Sequence, residues 1–326
     1  MKYHQTMFSL KKFLLVVLVL IVAHLVVRAK VPTNQSNGLT NFSNCVLSEH
    51  KEVNGRFIAR NAQLRSLSVT GNCKLNQTKI TESLDVCGTL ECKHSEIYKL
   101  SKIGNGKLLH STITELFEST SPTDAQHCKF KSYDGTGIFY GDNLSVDEIF
   151  ENTGKTDLLN SKLNHVKITG LFNGTQCSLD TCKVTGKTVL KNITCSTATH
   201  IVGETHCEHS IFKDLEICGK THISFSTADT AEVTGLLEAK SCAVKEFTLT
   251  TQESFFDNCE ITTLYVERNR NTPKKPSVIH ISNTDTKNTK NFIRKIVCAD
   301  PTTKIIYSQN AVHALEIIGT EHVISN

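Results

Sequence analysis

The chain has 326 residues, with 36 Lys and Arg against 32 Asp and Glu, 39% apolar residues and no Trp. That length allows one large or two ordinary domains, and a nearly balanced charge without clusters leaves no electrostatic footprint for nucleic acid. No Gly-x-Ser-x-Gly, His-Glu-x-x-His, phosphate loop or dinucleotide fingerprint occurs, so the commonest hydrolase, metalloprotease and nucleotide-binding patterns are excluded.

Residues 13–27, FLLVVLVLIVAHLVV, form the one long apolar run. Lys2, Lys11 and Lys12 precede it, and Val27-Arg28-Ala29 ends it with small or apolar residues where a signal peptidase reads. Residues 1–29 are therefore expected to be a secretory leader, or a membrane anchor if they stay uncleaved, although the run falls short of the ~20 residues of a spanning helix. The rest of the chain is expected to be exported, to the periplasm, the cell surface or the medium. Loss of 1–29 removes four basic residues and no acidic one, which takes the net charge from +4 to 0.

Residues 30–266 carry an internal repeat. Gly38, Gly55, Gly71, Gly88, Gly104, Gly137, Gly154, Gly170, Gly186, Gly203, Gly219 and Gly235 are spaced by 16 or 17, apart from one gap of 33 that Ser121 fills; Gln252 extends the series to fourteen anchors. Nine residues past each anchor every residue is apolar, from Leu47 through Leu64, Ile97 and Leu179 to Ile261. Seven past the anchor most residues are small, as at Ala62, Ser95, Ser111, Cys128 and Ser210. Four and two before it aliphatics dominate, as in Leu67/Val69, Leu84/Val86 and Leu215/Ile217, and equal parity puts them on one face of a strand. Short alternating stretches that cannot bury a face alone do so when coiled and stacked. The expected fold is all-β: a right-handed, three-sided parallel β-solenoid of about fourteen coils of 16–17 residues, roughly 65 Å long. Six past the anchor stand Asn44, Asn61, Gln77, His94, His110, His127 and their equivalents, many of them types that tolerate positive φ, so this file is expected to turn a corner.

The Val-x-Gly … small-x-Ile/Leu … Leu-x-Val-x-Gly coil over residues 38–266 resembles the bactofilins, polymer-forming bacterial scaffold proteins built on a three-sided β-helix. The resemblance implies end-to-end self-assembly near a membrane, with no cofactor. The chain departs from that family in its expected export and in its long basic C-terminal segment.

The lattice also assigns directions to the chemistry-bearing side chains. Among the His corner residues, His94, His110 and His127 fall in three successive coils about 5 Å apart, which makes them the alternative metal site, although a corner ladder needs no ion. Three before the anchors, Glu118, Asp134 and Glu151 form an outward acidic file; carboxylates about 5 Å apart are the spacing of retaining glycosidases, so this face is the catalytic alternative to a solvated charge file. Thr120, Thr136, Thr153, Thr169 and Thr185 stack one before the anchor, where β-propensity accounts for them. In His206-Cys207-Glu208-His209, Cys207 points inward, His206 outward and His209 sits at a corner, so the three cannot converge on one ion. Ten of the thirteen cysteines fall on inward files, where Cys packs as a small hydrophobe; Cys242 and Cys259 lie one coil apart in one file, at a separation that suits a bridge.

Residues 267–326 break the lattice with a basic loop holding Arg268, Arg270, Lys274 and Lys275, expected to be either a solvated loop or a contact for an anionic glycan, lipid or partner surface. LEIIG at 315–319 then copies LEICG at 215–219, and predicts a return to the rod as a cap or final coil. Taken together, the residues favour a non-catalytic exported scaffold that works through self-association or an envelope or surface partner, with no cofactor. A polysaccharide-active β-helix enzyme using Glu118, Asp134 and Glu151 is the alternative.

Overall fold

The computed structural model describes residues 35–251, 253–267, 276–283, 292–308 and 316–325. The described residues form strands and no helix, and their ladder pairings run parallel, each segment against the same segment of the next coil. Leu64 pairs with Ile80, Ile80 with Ile97 and Ile97 with Ile113, so the file nine past the anchors runs as one line along the rod. That line is interior: Leu64, Ile97 and Leu179 are 2%, 0% and 1% exposed.

Three corners shape each coil. At the first, the anchor glycines have positive φ and stack directly on one another. Gly88, at φ 138°, would place a Cβ 2.2 Å from the carbonyl oxygen of Gly71, so both the torsion and the spacing exclude a side chain. At the second corner all fourteen residues from Asn44 to Asn258 adopt left-handed torsions, with φ between 48° and 55°. The small residue that follows does more than fit. Ser95 Oγ donates to Lys93 O (2.8 Å) and accepts from Thr78 N (3.1 Å) in the preceding coil, and Ser111, Ser161, Ser210 and Ser226 repeat both contacts. Thiols take the same place: Cys128 and Cys177 each donate to the carbonyl two residues back at 3.2 Å.

The third corner explains why the period alternates. Leu64 pairs with Ile80, sixteen residues on, but Ser66 pairs with Ser83, seventeen on; in the next pair of coils the offsets reverse. From the Leu64 coil to the Phe212 coil the extra residue is taken up just past the inward apolar file, as a bulge, which leaves the other two corners in register; between Thr250 and Ser254 it falls at the anchor corner instead.

The rod has about sixteen coils, not fourteen. Glu260–Val266 pairs with Phe292–Cys298, which pairs with Glu316–Ile318, and Glu253–Asp257 is followed by Val278–Ser282, Lys304–Tyr307 and Val323–Ser325. The period is lost there because extra sequence falls at corners, between Val266 and Val278 and between Ser282 and Phe292, while the hydrogen-bonded rungs continue. Gly319, at φ 91° and stacked on Cys298 O, is again an anchor. Residues 1–29, Gln252, Arg268, Arg270, Lys274 and Lys275 lie outside the described residues.

Candidate functional site

The outward file three before the anchors is formed as expected: Asp134 pairs with Glu118 on one side and Glu151 on the other. The face is open. Lys129–Asp142 and Ser145–Leu159 are separated by two residues, which is too little chain to wall a cleft. Lys99 Nζ lies 3.6 Å from Glu118 Oε2, and Lys167 Nζ lies 2.5 Å from Glu151 Oε1, so lysines neutralise both ends of the file. The geometry offers two exposed ion pairs around Asp134 and nothing that excludes water.

The rings of His94, His110 and His127 stack, with centroids 5.0 and 4.7 Å apart and planes inclined by 5° and 11°. Stacked imidazoles present faces to one another while their nitrogens lie in parallel planes, so their lone pairs do not converge. Among the described residues no group of three or more His, Cys, Asp or Glu is placed to hold a metal ion. His206 lies outward over His222 (5.4 Å), Cys207 is fully buried, and His209 turns its corner at φ 51° with its ring 4.9 Å from Phe225.

The largest departure from the repeat is internal. Two before the anchors the file reads Val53, Val69, Val86, then Lys102, Ser119, Gly135 and Asn152, then Ile168 and Val184. Lys102 is 1% exposed. Its ammonium donates to Gly104 O (2.5 Å), Ser121 Oγ (3.1 Å) and Pro122 O (3.2 Å), and burial brings its pKa down to about 8. Ser121 holds the vacant anchor position by accepting from Gly104 N at 2.6 Å. Ser119 donates to Ser121 O (3.0 Å) and lies 3.1 Å from Thr123 Oγ1, and the Tyr133 ring lies over Gly135. Burial pushes the Tyr133 phenol up. Asn152 donates to Thr156 Oγ1 at 2.8 Å, while its own Oδ1 has no partner among the described residues. The sequence signal for this cluster was the missing anchor glycine at Ser121, beside a lysine where valine is the rule. The cluster is enclosed and serves the corner, since every contact of the ammonium is to main chain or to Ser121.

Two shallow lateral grooves occur where inward residues shrink. One, of about 520 Å³, lies over Phe212, Ala228 and Val244 between Lys213 and Lys245. The other, of about 480 Å³, lies over Ile223 and Ala239 beside His206, His222, Glu238 and Phe255. Both dips follow alanines in files that are otherwise filled by larger residues, a signal that periodicity alone does not weigh.

All thirteen cysteines are free thiols. Of the ten placed inward by the lattice, nine are buried and Cys45 is half-buried at the rod's first coil; Cys87 and Cys218 are exposed. The chain matches no protein-family model, no curated protein and no solved structure.

Proposed function

We propose that the chain is a non-catalytic exported scaffold, a stiff rod that acts through its sides and ends. The observation that carries this reading is the uninterrupted ladder from Gln35–Ser43 to Glu316–Ile318, with no described segment rising beside Glu118, Asp134 and Glu151. Glycan cleavage needs a site that positions the sugar and shields the acid from water. A flat file capped by lysines supplies neither.

Self-association through the ends is the first expected interaction. Among the described residues Gln35–Ser43 pairs only with Val46–Arg60, and Leu39 and Val46 are 67% and 72% exposed at that end. At the other end Ile318, Val323 and Ile324 are exposed. An unpaired strand edge is a template for another chain, and the repeat's likeness to the bactofilins supports the same reading. Arg268, Arg270, Lys274 and Lys275 would meet an envelope partner, whether anionic glycan or lipid. Electron microscopy of concentrated protein lacking residues 1–29 is expected to show end-to-end filaments. Strictly monomeric rods would remove the self-association, and glycan hydrolysis lost in Glu151→Gln would replace the scaffold with the enzyme.

A further inference from the structure

Among the thirteen cysteines only Cys242 and Cys259 occupy the same file in adjacent coils. Ala243 and Glu260, the residues that follow them, are register partners, and Glu260 N donates to Cys242 O at 2.8 Å. The two Cα atoms are thus about one strand spacing apart, ~4.8 Å, within the range a disulfide spans. Both residues are 4% exposed, so the two thiols lie in the interior in adjacent coils. Each sulfur has two main-chain carbonyls in reach of one weak S–H donation: Lys240 O (3.3 Å) or Ile223 O (3.4 Å) for Cys242, Asp257 O (3.5 Å) or Ala239 O (3.5 Å) for Cys259. Little is lost when one sulfur turns away from them. The position in the rod is also particular. The Cys259 coil is the last before the sequence interruption at 267–277, and the coils beyond it stack on this one.

We propose that Cys242 and Cys259 form a redox latch, a thiol–disulfide exchange site that a disulfide of the glutathione type oxidises to staple these two coils. The thiolate of one cysteine attacks one sulfur of the incoming disulfide and expels one thiolate. The thiolate of the other then attacks the mixed disulfide at the protein sulfur and expels the second, so the two protein protons leave on two molecules of the small thiol and the protein pair is oxidised by two electrons. Cys73, Cys182 and Cys207 are pushed up by burial and have no neighbour in file, so they stay reduced.

The test equilibrates the full chain with glutathione disulfide, quenches in acid, alkylates under denaturing conditions and maps peptides by mass. The expected result is a peptide linking Cys242 to Cys259, with Cys92, Cys182 and Cys207 fully alkylated and glutathione adducts on exposed Cys87 and Cys218 as proof that the oxidant acted. Adducts on Cys87 and Cys218 with both Cys242 and Cys259 alkylated would overturn the latch, as would links scattered among the core thiols. In a second measurement, amide exchange over Ala243–Thr250 and Glu260–Val266 is expected to slow about tenfold or more on oxidation. The Cys242→Ser variant, which places in this file the residue that Ser226 already supplies one coil earlier, is expected to show no such change. Equal slowing in that variant would also overturn the proposal.

Discussion

The same ladder encloses two different interiors. Between Lys102 and Thr156 the core is aromatic and polar, with Phe117, Phe130, Tyr133, Phe139 and Phe150 packed at centroid distances from 4.6 to 6.5 Å around Lys102, Ser119, Thr123 and Asn152. Between Cys177 and Cys259 the interior holds six of the thirteen thiols, Cys218 pointing outward, among mostly aliphatic residues with Phe212, Phe247 and Phe256. Outside, the two stretches share rungs and corners. The comparison teaches that register is held by main-chain stacking, while the filling is free to vary. What the filling does decide is how each stretch answers to substitution and to pH.

The largest expected contrast is at the anchors. In Gly186→Ala the new Cβ meets Gly170 O at 2.0 Å at φ 136°, so a loss of about 4 kcal/mol or failure to fold is expected. In Gly137→Ala, beside the Ser121 corner, the nearest atom is 3.7 Å away at φ 105°, and only the torsional cost of about 1–3 kcal/mol remains. Equal losses in denaturant titrations of the two variants would break the claim that stacking, as well as torsion, demands glycine.

Alkaline pH separates the two interiors next, and in opposite senses. Lys102 has a lowered pKa in the fold, so above about pH 8 the folded chain has released a proton that the unfolded chain keeps up to about 10.5. Wild type should therefore gain stability relative to Lys102→Met across that window, on the order of 1 kcal/mol. Cys182 and Cys207 are raised by burial, so their contribution is complete below the ordinary thiol value of 9.0 and is lost above it. Cys207→Ala should flatten the fall in stability above pH 9 by about 1 kcal/mol per pH unit. Urea midpoints of each variant and wild type at several pH values check both signs; a Lys102→Met difference that shrinks with rising pH would show the ammonium is not desolvated.

The smallest effect is expected on the outer face. Glu151→Gln removes the exposed contact with Lys167, and should change the unfolding free energy by about 0.5 kcal/mol or less. A larger loss would mean that the charge file, rather than the stacked corners, helps hold the coils together.

Much of this was legible because a solenoid converts sequence period into side-chain direction. Leu64, Ile97 and Leu179 line the interior, the Asn and His corners have left-handed torsions, and Glu118, Asp134 and Glu151 share one outer file, all as the spacing implies. The coil count was less legible: corner insertions erase a period without interrupting hydrogen bonds, so the two added coils have no glycine lattice to announce them until Gly319.

The amino-acid order alone determined parity, period and therefore which side chains are inside, since each depends only on distance along the chain from a glycine. The tertiary structure decided what those side chains do with neighbours sixteen or more residues away. The serines after the corners bind main chain in the preceding coil, Lys102 plugs the corner that Ser121 leaves without a glycine, the histidines stack instead of converging, and Cys242 meets Cys259. Each of these depends on rotamer and on the few ångströms between coils, which a one-dimensional pattern does not contain.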